Sequence, residues 1–525
     1  MIETDVLVVG AGPAGLAAAL ALKRGGFSGR VIVLEKARAV GNHVLSGAVI
    51  DPSGFEDLLT ADEIAKLPVE AHVTRESFRF LTGSGAGWRI PWVPPMMRAC
   101  GYPVGSLTKC VRYLAELAQD AGVEIYPGFS VVELVERDGM VVGARTGEKG
   151  VDSRGHHKSN YLAKEEIRAH VTLLAEGAVG ILTERLIAKH GLVGARPQSY
   201  ALGIKELIEL QEPKAGSGGE IMHTFGYPVN MTTYGGGFVY HVSDSQVMVG
   251  YAVGLDYADA GLNPHELFRR FKETTAVQRH IAGGKSVAYG AKVIPEGGFY
   301  ALPKPSVPGC LILGDGAGLL DSLRIKGVHL ALLSGRIAAE AILAGGDVAS
   351  EYERRLRQSK GYAEVRRVRN VHGGFSYHSL VGVMMAGFAW MTFGRFPFWT
   401  VGRRHRDSQT LKRIREDAPA DQLPISSPLS PDRLTDVFLS GTVHEEDQVS
   451  HVRIIDAKRC EMCEKRYGQP CTRFCPAEVY RSDTGVVRVD FSNCLHCKTC
   501  RIKCPFENVE WSFPQGGDGP RYTRM

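Results

Sequence analysis

The sequence predicts an α/β protein (α+β overall) with a parallel-sheet domain at the N-terminus, a mixed sheet inserted into it and a small cysteine-rich unit at the C-terminus. Three observations predict this. A β-branched strand runs into a Gly-x-Gly-x-x-Gly turn at residue 10, residues 200–300 alternate apolar and polar positions broken by glycine, and 8 of the 11 cysteines fall between positions 460 and 504. At 525 residues the chain exceeds what one core supports, so roughly two to four structural units are expected.

The first element is Asp5-Val6-Leu7-Val8-Val9, an apolar run that reads as a buried parallel strand. It leads into Gly10-Ala11-Gly12-Pro13-Ala14-Gly15, then the helix former Leu16-Ala17-Ala18-Ala19-Leu20, and a second strand, Val31-Ile32-Val33-Leu34, ends on Glu35. Strand, glycine turn, helix, strand and terminal acid together form a dinucleotide-binding fingerprint. Gly10 permits the tight turn, Gly12 lets backbone approach a pyrophosphate, Gly15 allows close helix–strand packing, and Glu35 accepts from ribose hydroxyls. The fingerprint alone leaves FAD and NAD open; its N-terminal position favours a resident FAD. Two later segments point the same way. A strand through Leu173-Leu174 closes on Glu176-Gly177, with Arg185 beyond, and Leu311-Ile312-Leu313 ends on Gly314-Asp315. They resemble the downstream motifs of the glutathione-reductase-like FAD family, in which the Gly-Asp aspartate contacts the ribityl chain. Glu176 stands where related hydroxylases carry Asp.

The second element is the cysteine cluster. Cys494-x2-Cys497-x2-Cys500-x3-Cys504-Pro505 matches the bacterial ferredoxin run, and Cys460-x2-Cys463-x7-Cys471-x3-Cys475-Pro476 is a similar run with a longer middle loop. In two-cluster ferredoxins the last cysteine of each run serves the other cluster. That rule assigns Cys475, Cys494, Cys497 and Cys500 to one 4Fe–4S cluster and Cys460, Cys463, Cys471 and Cys504 to a second. For the run with the insertion, a zinc site or unligated thiols remains the competing reading. Clustering late in a long chain with no visible signal peptide argues against a disulfide scaffold and fits a bacterial or already mature protein.

The third element is the middle of the chain. Alternation over 200–300 fits an antiparallel sheet over the flavin face. Within it, Tyr234-Gly235-Gly236-Gly237 marks a bulge, a close approach to a ligand or a plain turn. Residues 351–415 hold 14 Lys/Arg against 4 Asp/Glu, a local charge of +10 in a chain of net +5. That total is too small for nucleic-acid binding. Residues 371–394 lack Lys, Arg, Asp and Glu, and the apolar core there is 14 residues long, against the ~20 needed to span a bilayer. The pattern fits an interfacial, monotopic helix with a basic flank for anionic lipid, the competing reading being a buried core helix. Ile90-Pro91-Trp92-Val93-Pro94-Pro95-Met96-Met97 could share that surface. The linker at 416–433, rich in acid, proline and serine, marks the boundary before the cysteine unit.

Together these features resemble the electron transfer flavoprotein–ubiquinone oxidoreductase family over nearly the whole chain. The resemblance includes His43-Val44-Leu45-Ser46-Gly47-Ala48, Tyr234-Gly235-Gly236, Ala288-Tyr289-Gly290-Ala291, Ile325-Lys326-Gly327 and Cys494-Leu495-His496-Cys497-Lys498-Thr499-Cys500. It implies a glutathione-reductase-like, FAD-binding Rossmann domain (1–200 and 300–350), an inserted quinone-binding and membrane-surface region (201–299 and 351–415) and a bacterial-ferredoxin-like domain (434–525). Electrons would pass from reduced electron transfer flavoprotein through 4Fe–4S and FAD to ubiquinone or menaquinone. The quinone head would sit by Tyr234, Gly235 and Gly236. The resemblance also implies a monotopic protein on the cytoplasmic face of a bacterial inner membrane, or the matrix face of the mitochondrial one. No catalytic acid–base pair is identified, since electron relay requires none. Mitochondrial-type members keep the ligands matching Cys475, Cys494, Cys497 and Cys500 and lack the other four. The extra cysteines look like the ferredoxin-like partner of flavin-based bifurcating complexes, which makes a fused bifurcating subunit one alternative. A geranylgeranyl-reductase-like prenyl reductase is another.

Overall fold

Strand Ile2–Val9 pairs in parallel with Glu166–Leu174 on one side and Val31–Glu35 on the other. The computed structural model describes all residues except Met1, Ser84, Ala86, Arg403, 415–428, Ser430 and Thr484. Cys310–Ile312 and Glu124–Pro127 extend the sheet at its two sides, and the hairpin Val131–Arg137/Met140–Thr146 joins antiparallel to Glu166–Leu174. Val6, Leu7, Val8, Leu173 and Ile312 are buried, as a sheet covered on both faces requires. The register levels the carboxyl ends: Val9 lies opposite Leu34 and Leu174, and Leu174 opposite Ile312. Connections leave the central strand to both sides, so a crevice opens beyond these ends. Helix Pro13–Arg24 packs on helix Val328–Ala344 where Gly335 brings the backbones together; a Cβ there would lie 2.2 Å from the Ala14 carbonyl oxygen.

The second sheet runs in the order Gly284–Pro295, Tyr200–Leu210, Gln246–Gly254, Gly235–His241, Glu220–Gly226, Arg75–Leu81, Trp88–Arg89. Only the Glu220–Gly226/Arg75–Leu81 pair is parallel. Two of these strands come from the 1–200 stretch that the sequence reading gives to the flavin domain. Arg75-Glu76-Ser77-Phe78-Arg79-Phe80-Leu81 mixes charged and aromatic residues and carries no local sign of its distant partner. The triple glycine forms no bulge. Gly235, Gly236 and Gly237 sit in an unbroken ladder with Gln246–Gly254, and Gly236 and Gly237 also pair with Glu220–Gly226. A Cβ on Gly236 would meet the Thr224 carbonyl at 2.5 Å, and one on Gly237 the Phe271 ring at 2.3 Å, so packing demands glycine at both.

Segment 351–415 divides between two roles. Tyr352, Leu356 and Val365 join the core of the first sheet, and the Tyr352 hydroxyl donates to the Ile312 carbonyl at 3.0 Å. The later part, with helices Val371–Phe375 and Ser379–Met391, forms a surface feature. Most of the expected linker lies outside the described residues. The cysteine unit packs its helices Ala457–Tyr467, Cys471–Phe474 and Thr499–Lys503 against the second sheet and shares its apolar core. Tyr289 donates to the Pro476 carbonyl at 3.0 Å across that junction.

Beneath the second sheet, Lys272 donates to Glu206 at 2.5 Å, both side chains having no solvent exposure. Burial pushes the Glu206 carboxyl up to about 7 against the pull of Lys272. Removing the cation strands the carboxylate. K272M is expected to cost about 3–5 kcal/mol, read as a lowered urea midpoint, with the double variant K272M/E206L recovering most of the loss. Equal midpoints for K272M and wild type would refute this account of the pair.

Candidate functional site

The crevice at the strand ends opens into a cavity of about 700 Å³, within the ordinary range of cofactor and ligand sites. Gly10, Gly12, Glu35, Gly177, Gly314 and Asp315, all expected at a flavin, line it. Gly10 has φ +108 and a Cβ there would lie 2.4 Å from the Ala175 carbonyl oxygen; one on Gly15 would lie 2.1 Å from the Gly10 carbonyl oxygen. These two glycines serve the packing of strand and helix, and Gly15 does not line the cavity. Gly12 differs: a Cβ there meets nothing within 4 Å. It caps helix Pro13–Arg24 without any side-chain acceptor, leaving first-turn N–H groups for a ligand in the open space.

Glu35 accepts from the backbone N–H of Ala11 at 2.9 Å and of Ala37 at 2.8 Å, which holds its carboxylate at the rim of the glycine turn. Glu176 caps helix Ile181–His190 through Thr183, accepting from its N–H and hydroxyl at 2.8 Å each. Its glutamate length therefore serves the helix start. Arg185 stacks over Phe513 at 5.3 Å, outside the cavity lining. Three lysines distant in sequence, Lys36, Lys292 and Lys498, converge on the same cavity. Lys292 donates to the His43 carbonyl at 3.0 Å, and Lys498 to the Val179 carbonyl at 2.5 Å. Burial, and then the charge of Lys36, brings Lys498 down to about 7. An open glycine turn, free helix-start donors and three lysines, whose charge a bound anion would favour, fit an anionic dinucleotide.

The cavity continues past Tyr234, Gly235 and Gly236 to a second end lined by Trp92, Pro95, Met97, Val383, Gly387 and Trp390. Both apolar segments singled out in the sequence thus border one opening. Around it Trp390 is 50%, Trp92 61% and Phe398 80% exposed, and Met384, Met391, Phe393 and Trp399 are also exposed. Helix Ser379–Met391 has 13 residues, and among the described residues no helix is long and apolar enough to cross a membrane. On the inner wall, Tyr240 and His223 are hydrogen-bonded at 2.6 Å. Burial, aided by Lys326, lowers His223 to about 3, so it is neutral at physiological pH. This pair was missed in the sequence because its members lie on neighbouring strands, 17 positions apart.

Behind the flavin end, Leu495, His496 and Lys498 line the cavity directly. Cys475, Cys494, Cys497 and Cys500 are all buried next to this loop, and each thiol is raised by burial first and by neighbouring thiols among the causes for Cys475, Cys494 and Cys500. The N–H of His496 donates to Cys494 Sγ at 3.4 Å, and Thr499 Oγ1 lies 3.4 Å from Cys497 Sγ. Four converging buried thiols with polar hydrogens aimed at sulfur fit a 4Fe–4S cluster. Cys460, Cys463, Cys471 and Cys504 line a separate small cavity farther out. Between the inner thiols and the large cavity stand four imidazoles: His496 lies 5.2 Å from His43, 5.1 Å from His444 and 4.8 Å from His451, ring centre to ring centre. His444 Nε2 lies 2.9 Å from the Cys494 carbonyl oxygen. His496 and His43 fall in motifs legible in the sequence; His444 and His451 arrive from remote segments without one.

Fold and site define an FAD- and iron–sulfur-dependent oxidoreductase. Residues 3–186 match the FAD binding domain profile, 200–294 the profile described as ETF-QO, ubiquinone-binding, and 427–523 that described as electron transfer flavoprotein-ubiquinone oxidoreductase, 4Fe-4S. The chain is 39% identical to the mitochondrial electron transfer flavoprotein-ubiquinone oxidoreductase of Arabidopsis thaliana, covering 100% of this chain and 85% of that one. It is 38% identical to the Pseudomonas aeruginosa enzyme of that name, covering 100% and 99%, and 38% identical to the mouse mitochondrial enzyme, covering 100% and 89%. The chain belongs to the electron transfer flavoprotein–ubiquinone oxidoreductase family. Its fold alone is shared with a geranylgeranyl bacteriochlorophyll reductase-like protein of Thermoplasma acidophilum (TM-score 0.52, 18% identity, 74% of this chain and 96% of that one). It is shared likewise with a myxobacterial chondrochloren halogenase (TM-score 0.53, 18% identity, 85% and 99%).

The two loop glycines separate folding from binding. G12A is expected to leave the melting temperature of the apoprotein unchanged and to reduce FAD retained on purification. G10A, forced into a left-handed backbone against Ala175, should destabilise the apoprotein itself by more than about 1 kcal/mol. Full FAD occupancy in G12A would show that the pyrophosphate does not use this turn.

Proposed function

We propose that this protein accepts electrons from reduced electron transfer flavoprotein and delivers them to a membrane quinone. One observation carries the reading: a single cavity joins the glycine turn, the wall beside the inner cysteines and an apolar opening ringed by exposed aromatic residues. In it Gly10, Gly12, Glu35, Gly177, Gly314 and Asp315 would hold FAD, with Gly15 supporting the turn from behind, and beside it Cys475, Cys494, Cys497 and Cys500 would hold a 4Fe–4S cluster. When bound, these groups store and pass electrons, while the protein supplies position and electrostatics. Lys36, Lys292 and Lys498 offset the cofactor's negative charge, and the buried imidazoles keep water from the space between the two cofactor sites.

The quinone head lies by Tyr234, Gly235 and Gly236, where the absence of side chains lets a flat ring approach the sheet. Its isoprenoid tail leaves between Trp92 and Trp390. The Tyr240–His223 pair offers a proton on the cavity wall for the reduced quinone. The aromatic opening lies in the headgroup region of the bilayer, with Arg366, Arg367, Arg369 and Arg395 facing anionic lipid. In a bacterium this is the cytoplasmic face of the inner membrane; in a mitochondrion it is the matrix face. The domain division given above (1–200 with 300–350, 201–299 with 351–415, and 434–525) describes this layout once residues 75–97 are grouped with the quinone region and 351–367 with the flavin domain.

Mixing the anaerobic holoprotein with reduced electron transfer flavoprotein and a short-chain ubiquinone analogue should yield quinol. Product formed without ferredoxin or NADH rules out obligatory bifurcation, and no quinol from a fully reduced protein would overturn the proposal. For the membrane face, M384D/M391D/F398D is expected to weaken binding to anionic vesicles at least about tenfold while soluble-analogue turnover persists. Undiminished vesicle binding would remove this patch from the membrane contact.

A further inference from the structure

We propose that Cys460, Cys463, Cys471 and Cys504 hold a second 4Fe–4S cluster, and that it forms the outer end of the relay, where electrons enter from the protein donor. The inference rests on the cofactor reading above and adds a site to it.

The cysteine unit builds the same turn twice. Helix Cys471–Phe474 ends on Cys475 with φ −72 and ψ 119, and helix Thr499–Lys503 ends on Cys504 with φ −60 and ψ 117. Each cysteine is followed by proline, and three residues on a glutamate turns left-handed: Glu478 at φ 54 and Glu507 at φ 48. Around each sulfur the backbone N–H groups of the second and fourth following residues favour negative charge, Ala477 and Val479 for Cys475, Phe506 and Asn508 for Cys504. A turn that prepares Cys475 as a ligand is thus reproduced around Cys504. The N–H of Asn508 lies 3.3 Å from Cys504 Sγ, and its side-chain amide donates to Cys460 Sγ at 3.3 Å. Hydrogen bonds of this kind stabilise negative charge on sulfur.

The seven-residue spacer between Cys463 and Cys471 does not scatter the thiols. Cys460 and Cys463 sit one turn apart on helix Ala457–Tyr467, on one face. The inserted residues complete that helix, and left-handed Gly468 and Gln469 (φ 61 and φ 50) then reverse the chain into Cys471. The four cysteines consequently line one small cavity with Asn508 and Pro505.

Position gives the order. The inner cysteines are buried beside the loop that lines the flavin cavity, whereas Cys460 and Cys471 are partly exposed. Ile455, Met462 and Val486 are exposed around them, offering a protein donor an apolar landing point. Electrons cross one at a time. Two crossings and two protons reduce one quinone, so the added site leaves the overall balance unchanged.

Iron and acid-labile sulfide per FAD in the anaerobically purified holoprotein should each be about eight, falling to about four in C463S with FAD retained. Reduction of wild type by dithionite should give an electron paramagnetic resonance signal of two interacting spins per FAD. C463S should slow reduction by electron transfer flavoprotein about tenfold and leave dithionite-driven quinone reduction unchanged. Four irons with one isolated spin in the wild type, or four irons with one zinc, would overturn the second cluster and leave the cofactor reading standing. No iron at all would sink both. Unslowed donor reduction in C463S would overturn the entry role.

Discussion

The placement of loop 495–498 governs the rest of the molecule. It separates the inner cysteines from the cavity, so its depth sets how closely the two cofactor sites approach. His496 and Lys498 both take left-handed backbone, at φ 54 and φ 66, a conformation that costs roughly 1–2 kcal/mol per non-glycine residue. The surrounding packing has to offset that strain. Lys498 is anchored to the Val179 carbonyl at 2.5 Å and lies over Trp511 at 4.9 Å. The chain terminus locks the same wall: Ser106 and Thr108 hydroxyls donate to the Met525 carbonyl at 3.0 Å each, and the Ala291 N–H donates to the Tyr522 hydroxyl at 3.3 Å. The cysteine unit is therefore held as part of the core, sharing apolar side chains with the second sheet. A tethered domain would let the spacing between redox sites wander.

Much of this was legible because the chemistry is local. A glycine turn between a strand and a helix, or a run of cysteines at fixed spacing, places most of its functional atoms close together in sequence, and backbone geometry does the rest. The expected positions of Gly10, Gly12, Glu35, Gly314 and Asp315 all fall on the cavity. The insertion between Cys463 and Cys471 was ambiguous in sequence because a flexible loop and an extra helical turn have similar composition.

What escaped detection is contributed by tertiary convergence. Lys36, Lys292 and Lys498 lie in three distant segments, and no periodicity announces that they share a space. The same holds for His444 and His451, each of which reads as an isolated polar residue. Strand Arg75–Leu81 was missed for a related reason: it finds its only long partner, Glu220–Gly226, some 145 residues away, and its half-buried faces blur the alternation. The triple glycine reads in the sequence as a bulge, a close approach to a ligand or a plain turn, but its first cause is steric. Phe271 and the Thr224 carbonyl occupy the places where side chains would be. The smooth glycine wall left facing the cavity follows from that packing.

The exposed aromatic loop is bound mechanically to the wall of the large cavity through Asn370. Its side-chain amide donates to the carbonyls of Pro397 at 3.2 Å and Trp399 at 3.0 Å, and its carbonyl accepts from the Val401 N–H at 2.9 Å. One buried side chain thereby fixes the loop that carries Phe398 and Trp399. Arg369 adds a hydrogen bond to the Gly394 carbonyl at the start of that loop. Asn370 immediately precedes helix Val371–Phe375, whose His372 and Phe375 pack against Tyr234 at 5.3 and 5.2 Å. Tyr234 in turn leads into the glycine strand. The aromatic loop, the short helix and the cavity wall form a continuous packed path, so the loop cannot shift without moving the wall of the cavity. Under the proposed function, with a fixed flavin and a substrate dissolved in the bilayer, this rigidity would matter more than the area inserted. It would set the height of the opening relative to the membrane, and with it whether a quinone tail stays in hydrocarbon while its head reaches Gly235.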